Sequence, residues 1–441
     1  MFRPALIFFV TVPLFLFPGL WLVRDLFDPA LRGPGIPGRA VRMHAALTPR
    51  IEAWARDRVA RNTAAHASLH DVPTTEWPMF TAVFYLLGTE SLQRAWERGE
   101  LSGPSPVSQS GAAIDAARAL LLDPSHHTWV RTHWGDDYLH RENVFFRSLL
   151  IAGLASHEAL VHDGKDLLLL EDQVATLIAS LDASPLGVLN DYPGECYPID
   201  VIAALGFLQQ ADVVLGSDHA AFFARALRGF VGTNVDALGL QRFRVDLPSG
   251  REVQPSRGIG TSWSLAFAPA LWPAEGRNWY ARYERSFWQD HGWAAGFREY
   301  ARGTQAEWTF EIDAGPVLDG FGTAASAFGI AAARRNGRFD HAWLLSTELS
   351  AAGWTLPGET MLLPRAFSHA ADAPLLGEAA IVHFLTVQAA PGVAIVPGGG
   401  VPRGLVFFGL LVFFGLPLLA LRSLLRAFSR LRPLDFPQQE R

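Results

Sequence analysis

The sequence predicts an all-α protein: an (α/α)6 toroid of six helical hairpins with a small inserted β-hairpin, flanked by N- and C-terminal transmembrane helices. Three observations carry this expectation. The body of the chain repeats apolar residues at helical spacing. Its helix starts recur about every 60 residues. An uncharged apolar run lies near each end.

The terminal runs come first. Residues Ala5 to Val23 carry no charge and, as a helix, span about 28 Å, close to a hydrocarbon core of ~30 Å. A cleaved signal peptide is the competing reading, but no good small-residue cleavage site follows. Gly404 to Leu421 is also uncharged, and Arg422, Arg426, Arg430 and Arg432 follow it. Positive charge marks the cytoplasmic flank. The expected division is therefore 1–27 as anchor or signal peptide, 28–400 as an extracytoplasmic domain, and 401–441 as a spanning helix with a basic cytoplasmic tail. A bacterial inner membrane, with the main domain in the periplasm or outside the cell, is the expected location.

Within the body, Val144 to Val161, Leu167 to Leu181, Ile199 to Leu215, His219 to Val231, Trp279 to Trp288, Ala324 to Arg335 and His341 to Ala352 read as helices. Turn signals such as Asn336-Gly337 separate them. Leu240 to Asp246 and Arg251 to Val253 flank Pro248-Ser249-Gly250 and read as a β-hairpin. Helices begin near Asn143, Asp200, Thr261 and Gly322 after Gly/Pro-rich loops. Extending that spacing backward reaches Thr81, and forward reaches Glu378. Six such units close a toroid, with an open helical solenoid as the rival.

Composition excludes several classes. Net charge is −6 with no basic block in the body, so a nucleic-acid partner is not expected. Cys196 is the sole cysteine and Lys165 the sole lysine. No intramolecular disulfide, thiolate metal cluster or P-loop lysine is available. No metal or cofactor is expected.

The chemistry is expected in the loops before successive inner helices. The densest runs from Asn190 to Asp200 and holds Tyr192, Glu195, Cys196 and Tyr197. Glu195 lies among aromatic residues, which favours a general acid. Asp200 falls in a first helical turn, where the dipole favours an ionised carboxylate, and it also reads as a plain helix cap. Cys196 reads as a nucleophile, a polar lining group or an inert buried side chain. A second loop offers Trp134, Asp137 and Tyr138, a third Arg257 and Trp263, and a fourth Asp313. Carboxylates from separate loops would act as acid and base, and Trp134, Tyr192, Tyr197, Trp263 and Trp308 would wall the pocket.

Trp134-Gly135-Asp136, the run Arg141-Glu142-Asn143-Val144-Phe145-Phe146 and the loop Pro193-Gly194-Glu195-Cys196-Tyr197-Pro198 together resemble the linalool dehydratase/isomerase family. The resemblance spreads over roughly residues 75–350 and implies an (α/α)6 barrel with hydro-lyase or isomerase chemistry. That family's chemistry is associated with a histidine and a methionine on the helix after the Asn, and with two cysteines. Here the helix reads Phe145, Phe146, Arg147, Ser148, Leu149, and one cysteine is present. The barrel carries over more readily than the alkene hydration.

The expected function is a membrane-anchored enzyme of carboxylate acid/base type acting on a small apolar alcohol. The alternatives are a glycan-active hydrolase or lyase, and a catalytically silent barrel that binds a glycan or partner in the envelope. Homo-oligomerisation stays open.

Overall fold

The structure is a computed structural model that describes residues 2–66, 73–304, 307–311, 314–370 and 372–429. It is mostly helical, with few short strands. Six helices carry its centre: Pro73–Glu97, Val144–Val161, Pro198–Leu215, Gly258–Leu265, Thr323–Arg335 and Leu376–Thr386. Each packs against the next, and the sixth packs against the first. We call these the core helices.

Local chemistry explains their limits. Pro198 opens its helix, where a missing N–H costs nothing, and Gly216 closes it at φ 66°. Asn143, at φ 61°, precedes Val144–Val161. Its N–H and that of Val144 both donate to the Asn190 carbonyl, at 2.8 and 3.2 Å. The loops before the second and third core helices are thereby tied together. Gly258 is required by close approach, because a Cβ there would lie 2.0 Å from the Arg298 carbonyl oxygen.

Five core helices start within a few residues of the expected positions. The first starts earlier, at Pro73 rather than near Thr81. Trp77-Pro78 reads as a start signal, yet Pro78 lies inside the helix. The expectation of six sequential hairpins also needs correction. Pro106–Leu122, Leu167–Ala183, Pro273–Phe287 and Phe339–Ala352 do pack against the core helix they follow. The partner of Leu376–Thr386, however, is Gly38–Ala60 from the opposite end of the chain. Ala220–Arg228 lies on Leu167–Ala183, and the short Ala268–Leu271 takes its place against Pro198–Leu215.

The expected β-hairpin is present but shorter, pairing Arg244–Asp246 with Arg251–Gln254. Three further antiparallel sheets were not anticipated: Trp288–Asp290 with Ala295–Phe297, Thr309–Glu311 with Gly315–Leu318 and Phe321–Gly322, and Thr355–Leu356 with Thr360–Met361. Strands of two to four residues are too short to display alternation.

Among the described residues, four helices are long and apolar enough to cross a membrane: Ala5–Leu26, Val144–Val161, Pro198–Leu215 and Gly404–Ala427. The second and third are core helices. The first and last lie side by side and pack on Phe339–Ala352. There Leu22, Ala351, Val406 and Phe413 form a small cluster of their own. One turn of the first, Val12–Leu16, widens to π form around Pro13, which has no N–H to give. Arg430 and Arg432 of the expected basic tail lie outside the described residues.

Candidate functional site

The N-terminal parts of all six core helices meet around a cavity of about 220 Å³. Glu76, Trp77 and Phe80 come from the first, Phe145 from the second, and Ile199 and Asp200 from the third. Ile259, Gly260 and Trp263 come from the fourth, Phe328 from the fifth and Leu376 from the sixth. Tyr192, Tyr197 and Phe243 complete the lining. Helix N-termini carry partial positive charge, so carboxylates such as Asp200 are at home there.

One side of the cavity is aromatic. Phe80 meets Phe145 and Trp263 edge-on at 5.5 and 5.6 Å between ring centres, and Trp263 meets Phe328 at 5.6 Å. Trp263 is nearly enclosed, and its Nε1 has no hydrogen-bond partner among the described residues. A buried donor left unmet in a cavity wall suits an oxygen on a bound molecule.

The other side is acidic. Glu76 is buried, and its Oε2 accepts a 2.8 Å hydrogen bond from the Tyr192 hydroxyl. Burial and then the Glu76 charge push the Tyr192 phenol well above its usual range. Asp191 is fully buried just behind the lining. Its Oδ2 accepts from the Tyr197 N–H at 2.8 Å. Burial raises the Asp191 carboxyl well above the carboxylate range, and the charges of Asp200 and Glu76 raise it further. Burial beside two lining carboxylates thus makes Asp191 hold its proton to higher pH than a solvated aspartate does.

Four of the expected site residues line this cavity: Tyr192, Tyr197, Asp200 and Trp263. The others lie elsewhere. The Glu195 side chain is about two-fifths exposed, accepts from the Tyr197 hydroxyl at 2.6 Å and pairs with Arg244 at 3.2 Å. It is therefore a rim group rather than an enclosed acid. Cys196 is buried, its carbonyl accepting from the Val245 N–H at 3.0 Å. Burial, with Asp191 and Asp200 nearby, pushes its thiol up and away from nucleophilic use. Asp137 is exposed and bonded to His140 at 2.8 Å, which holds its carboxyl below the usual range. Tyr138 is half-buried with its hydroxyl 2.9 Å from His127 Nδ1. Trp134 is half-buried, outside the cavity lining. Arg257 is enclosed behind the wall, paired with Glu299 at 2.8 Å and with Glu311, its guanidinium 4.6 Å over the Phe243 ring. Trp308 is exposed and outside the cavity lining. Asp313 lies outside the described residues.

Glu76 and Asp191 were not assigned roles from the sequence. Asp191 was visible within the Asn190–Asp200 loop but carried no pattern of its own. Glu76 directly precedes the Trp77 block reached by extending the helix spacing backward, so applying the loop-before-helix rule to that first unit would have found it.

Compared with known proteins, the chain matches no protein-family model and no curated protein sequence.

Proposed function

We propose that the closed succession of core helices is an (α/α)6 toroid, held to a membrane by its two terminal helices, with the cavity as the active site of a dehydratase or isomerase. The observation that carries the reading is the pairing, in one small cavity, of an aromatic wall with two lining carboxylates, Glu76 and Asp200, and a third, Asp191, buried behind them. Asp200, ionised at its helix N-terminus, receives the proton stored on Asp191 and passes it to a substrate hydroxyl. The C–O bond breaks and water leaves. Positive charge develops on carbon against the faces of Phe80, Phe145, Trp263 and Phe328, which attract cations. Glu76, with Tyr192 on its Oε2, takes a proton from the neighbouring carbon, and the C–C double bond forms. The proton given by Asp200 is balanced by the one Glu76 receives.

The cavity volume favours a small apolar alcohol over a glycan, which needs an open groove. By the positive-inside tendency, Arg422 and Arg426 put the C-terminal end on the cytoplasmic side and the toroid outside.

The test uses the full chain in detergent with tertiary and allylic terpenoid alcohols, and separately with oligosaccharides. A ligand at 100 times its Kd adds about 2.7 kcal/mol of apparent stability. Terpenoid alcohols are expected to shift unfolding and to yield alkene and water. Asp200→Asn and Glu76→Gln should each reduce that turnover by roughly 10²–10⁴ with the fold intact. A shift with oligosaccharides alone would discard the dehydratase reading.

A further inference from the structure

The terminal helices leave the protein at the same end as the cavity. Two hydrogen bonds define that end. The Ala295 N–H donates to Glu348 Oε1 at 2.9 Å, and the Phe297 N–H donates to Ser326 Oγ at 3.1 Å. One short strand thus spans the last turns of Phe339–Ala352 and the first turn of Thr323–Arg335, the turn that faces the cavity end.

The terminal segments run along Phe339–Ala352 and past it. The Arg32 guanidinium lies 4.7 Å over the Trp343 ring. Further along, the Ser350 hydroxyl donates to Asp25 Oδ2 at 2.7 Å. Beyond the helix end, Trp354 meets Phe15 and Phe413 at 5.0 and 5.1 Å, and its Nε1 donates to the Leu14 carbonyl at 2.8 Å. One segment is thus followed backward from 32 to 14 and the other forward to 413. Both continue past Trp354, away from the body.

Length then fixes the depth. Phe413 lies ~13 Å inside the uncharged run that starts at Gly404, at 1.5 Å per residue. A hydrocarbon core of ~30 Å uses that whole run. The level of Trp354 therefore falls inside that core, and Trp293, packed against Gly404 and accepting from the Leu405 N–H, falls at its surface.

The rim beside the terminal helices has the side chains for that place. Trp293, whose carbonyl accepts from the Leu405 N–H, and Phe310, next to the Arg257 partner Glu311, are exposed at this end, as are Leu362, Leu363 and Phe367. The last three belong to Leu362–Ala370, which packs on Leu376–Thr386 beside the cavity residue Leu376. Tryptophan and amphipathic helices of this kind settle at the headgroup–acyl boundary. A cluster of exposed apolar side chains marks an interaction surface.

We propose that this apolar sector of the rim rests in the bilayer surface, and that the cavity takes its small apolar alcohol from the lipid phase rather than from water. The proposal rests on reading the cavity as the active site and the terminal helices as spans.

The experiment uses the full chain reconstituted in vesicles of phosphatidylethanolamine and phosphatidylglycerol. Single cysteines are introduced as Phe310→Cys, Phe367→Cys, Leu168→Cys and Phe408→Cys, and labelled with an environment-sensitive fluorophore. Buried Cys196 stays unlabelled, as the unsubstituted chain verifies. Leu168 is exposed at the start of Leu167–Ala183, the far end of the molecule from the cavity. Nitroxide carried on lipid acyl chains is expected to quench the 310, 367 and 408 probes several-fold more than the 168 probe. Quenching at 408 without quenching at 310 and 367 overturns the docked rim and leaves the spanning helices standing. No quenching at 408 overturns both. For the substrate class, a prenyl alcohol dissolved in the vesicles should raise the unfolding temperature, and Ile259→Trp, which fills the cavity, should remove the shift. A shift with a water-soluble polyol alone overturns access from the lipid.

Discussion

Val144–Val161 and Gly404–Ala427 are both long, apolar helices that a hydropathy scan treats alike. In the first, 78% of the apolar window is buried inside the protein; in the second, 28%. The difference lies in neighbours rather than composition. Val144–Val161 is held between Pro73–Glu97 and Pro198–Leu215, with Leu167–Ala183 on its flank. Gly404–Ala427 has the N-terminal helix and Phe339–Ala352 along part of its length, and Phe408, Leu411 and Leu418 face outward. An apolar helix surrounded by helices is a core element, while one left bare is long and apolar enough to cross a bilayer.

The strongest way to break this comparison is a charge placed in each helix. Leu150→Asp buries an unpaired carboxylate in the core and should cost on the order of 3–5 kcal/mol, enough to lose most folded protein. Phe408→Asp should leave thermal unfolding in detergent within about 0.5 kcal/mol of the parent. It should instead reduce membrane insertion, at about 3 kcal/mol. Equal losses in detergent would erase the distinction.

Next is crowding. A Cβ on Gly206 would meet Phe267 at 2.5 Å, and one on Gly19 would meet Phe413 at 3.0 Å. Gly206→Ala should therefore cost about 1–3 kcal/mol by denaturant titration, and Gly19→Ala less.

A pH series sharpens the comparison, because burial among core helices also raises Asp191. Unfolded, Asp191 titrates near ~3.9. Folded, it titrates well above that. Between the two values the unfolded chain has released a proton that the folded chain keeps, so stability falls as pH rises through that window. Asp191→Asn removes the penalty, about 1.4 kcal/mol for each unit of elevation. Its unfolding temperature should exceed the parent's near neutral pH, and the gain should fade as pH drops toward 4. A variant less stable at neutral pH would mean that Asp191 is ionised in the folded protein.

The smallest expected effect is on the rim. Phe367→Ser should change stability in detergent by less than about 0.5 kcal/mol, because the side chain is exposed. A larger loss by calorimetry would make Phe367 part of the core.

Much of the helical plan was legible in the sequence. The starts near Asn143, Asp200, Thr261, Gly322 and Glu378 each follow a loop whose Gly, Pro or polar residues stop one helix before the next. The lining aromatics Tyr192, Tyr197 and Trp263 were legible for the same reason, since they sit in or just after those loops. Glu195 and Asp137 were misplaced because loop residues only a few positions apart point to different sides. Glu195 turns to Arg244, while Asp191, four positions earlier, turns inward to the Tyr197 N–H.

By itself, the sequence determined what is periodic and local: the apolar terminal runs, the helix spacing and the short turn-marked hairpin. The tertiary structure decided which apolar helices are enclosed, that Gly38–Ala60 pairs with the last core helix, and that Glu76 and Asp200 share one wall with Asp191 buried behind it. Each of these depends on how a helix is rotated about its axis and what packs on it. Those are contacts between residues far apart in the chain, and no local pattern records them.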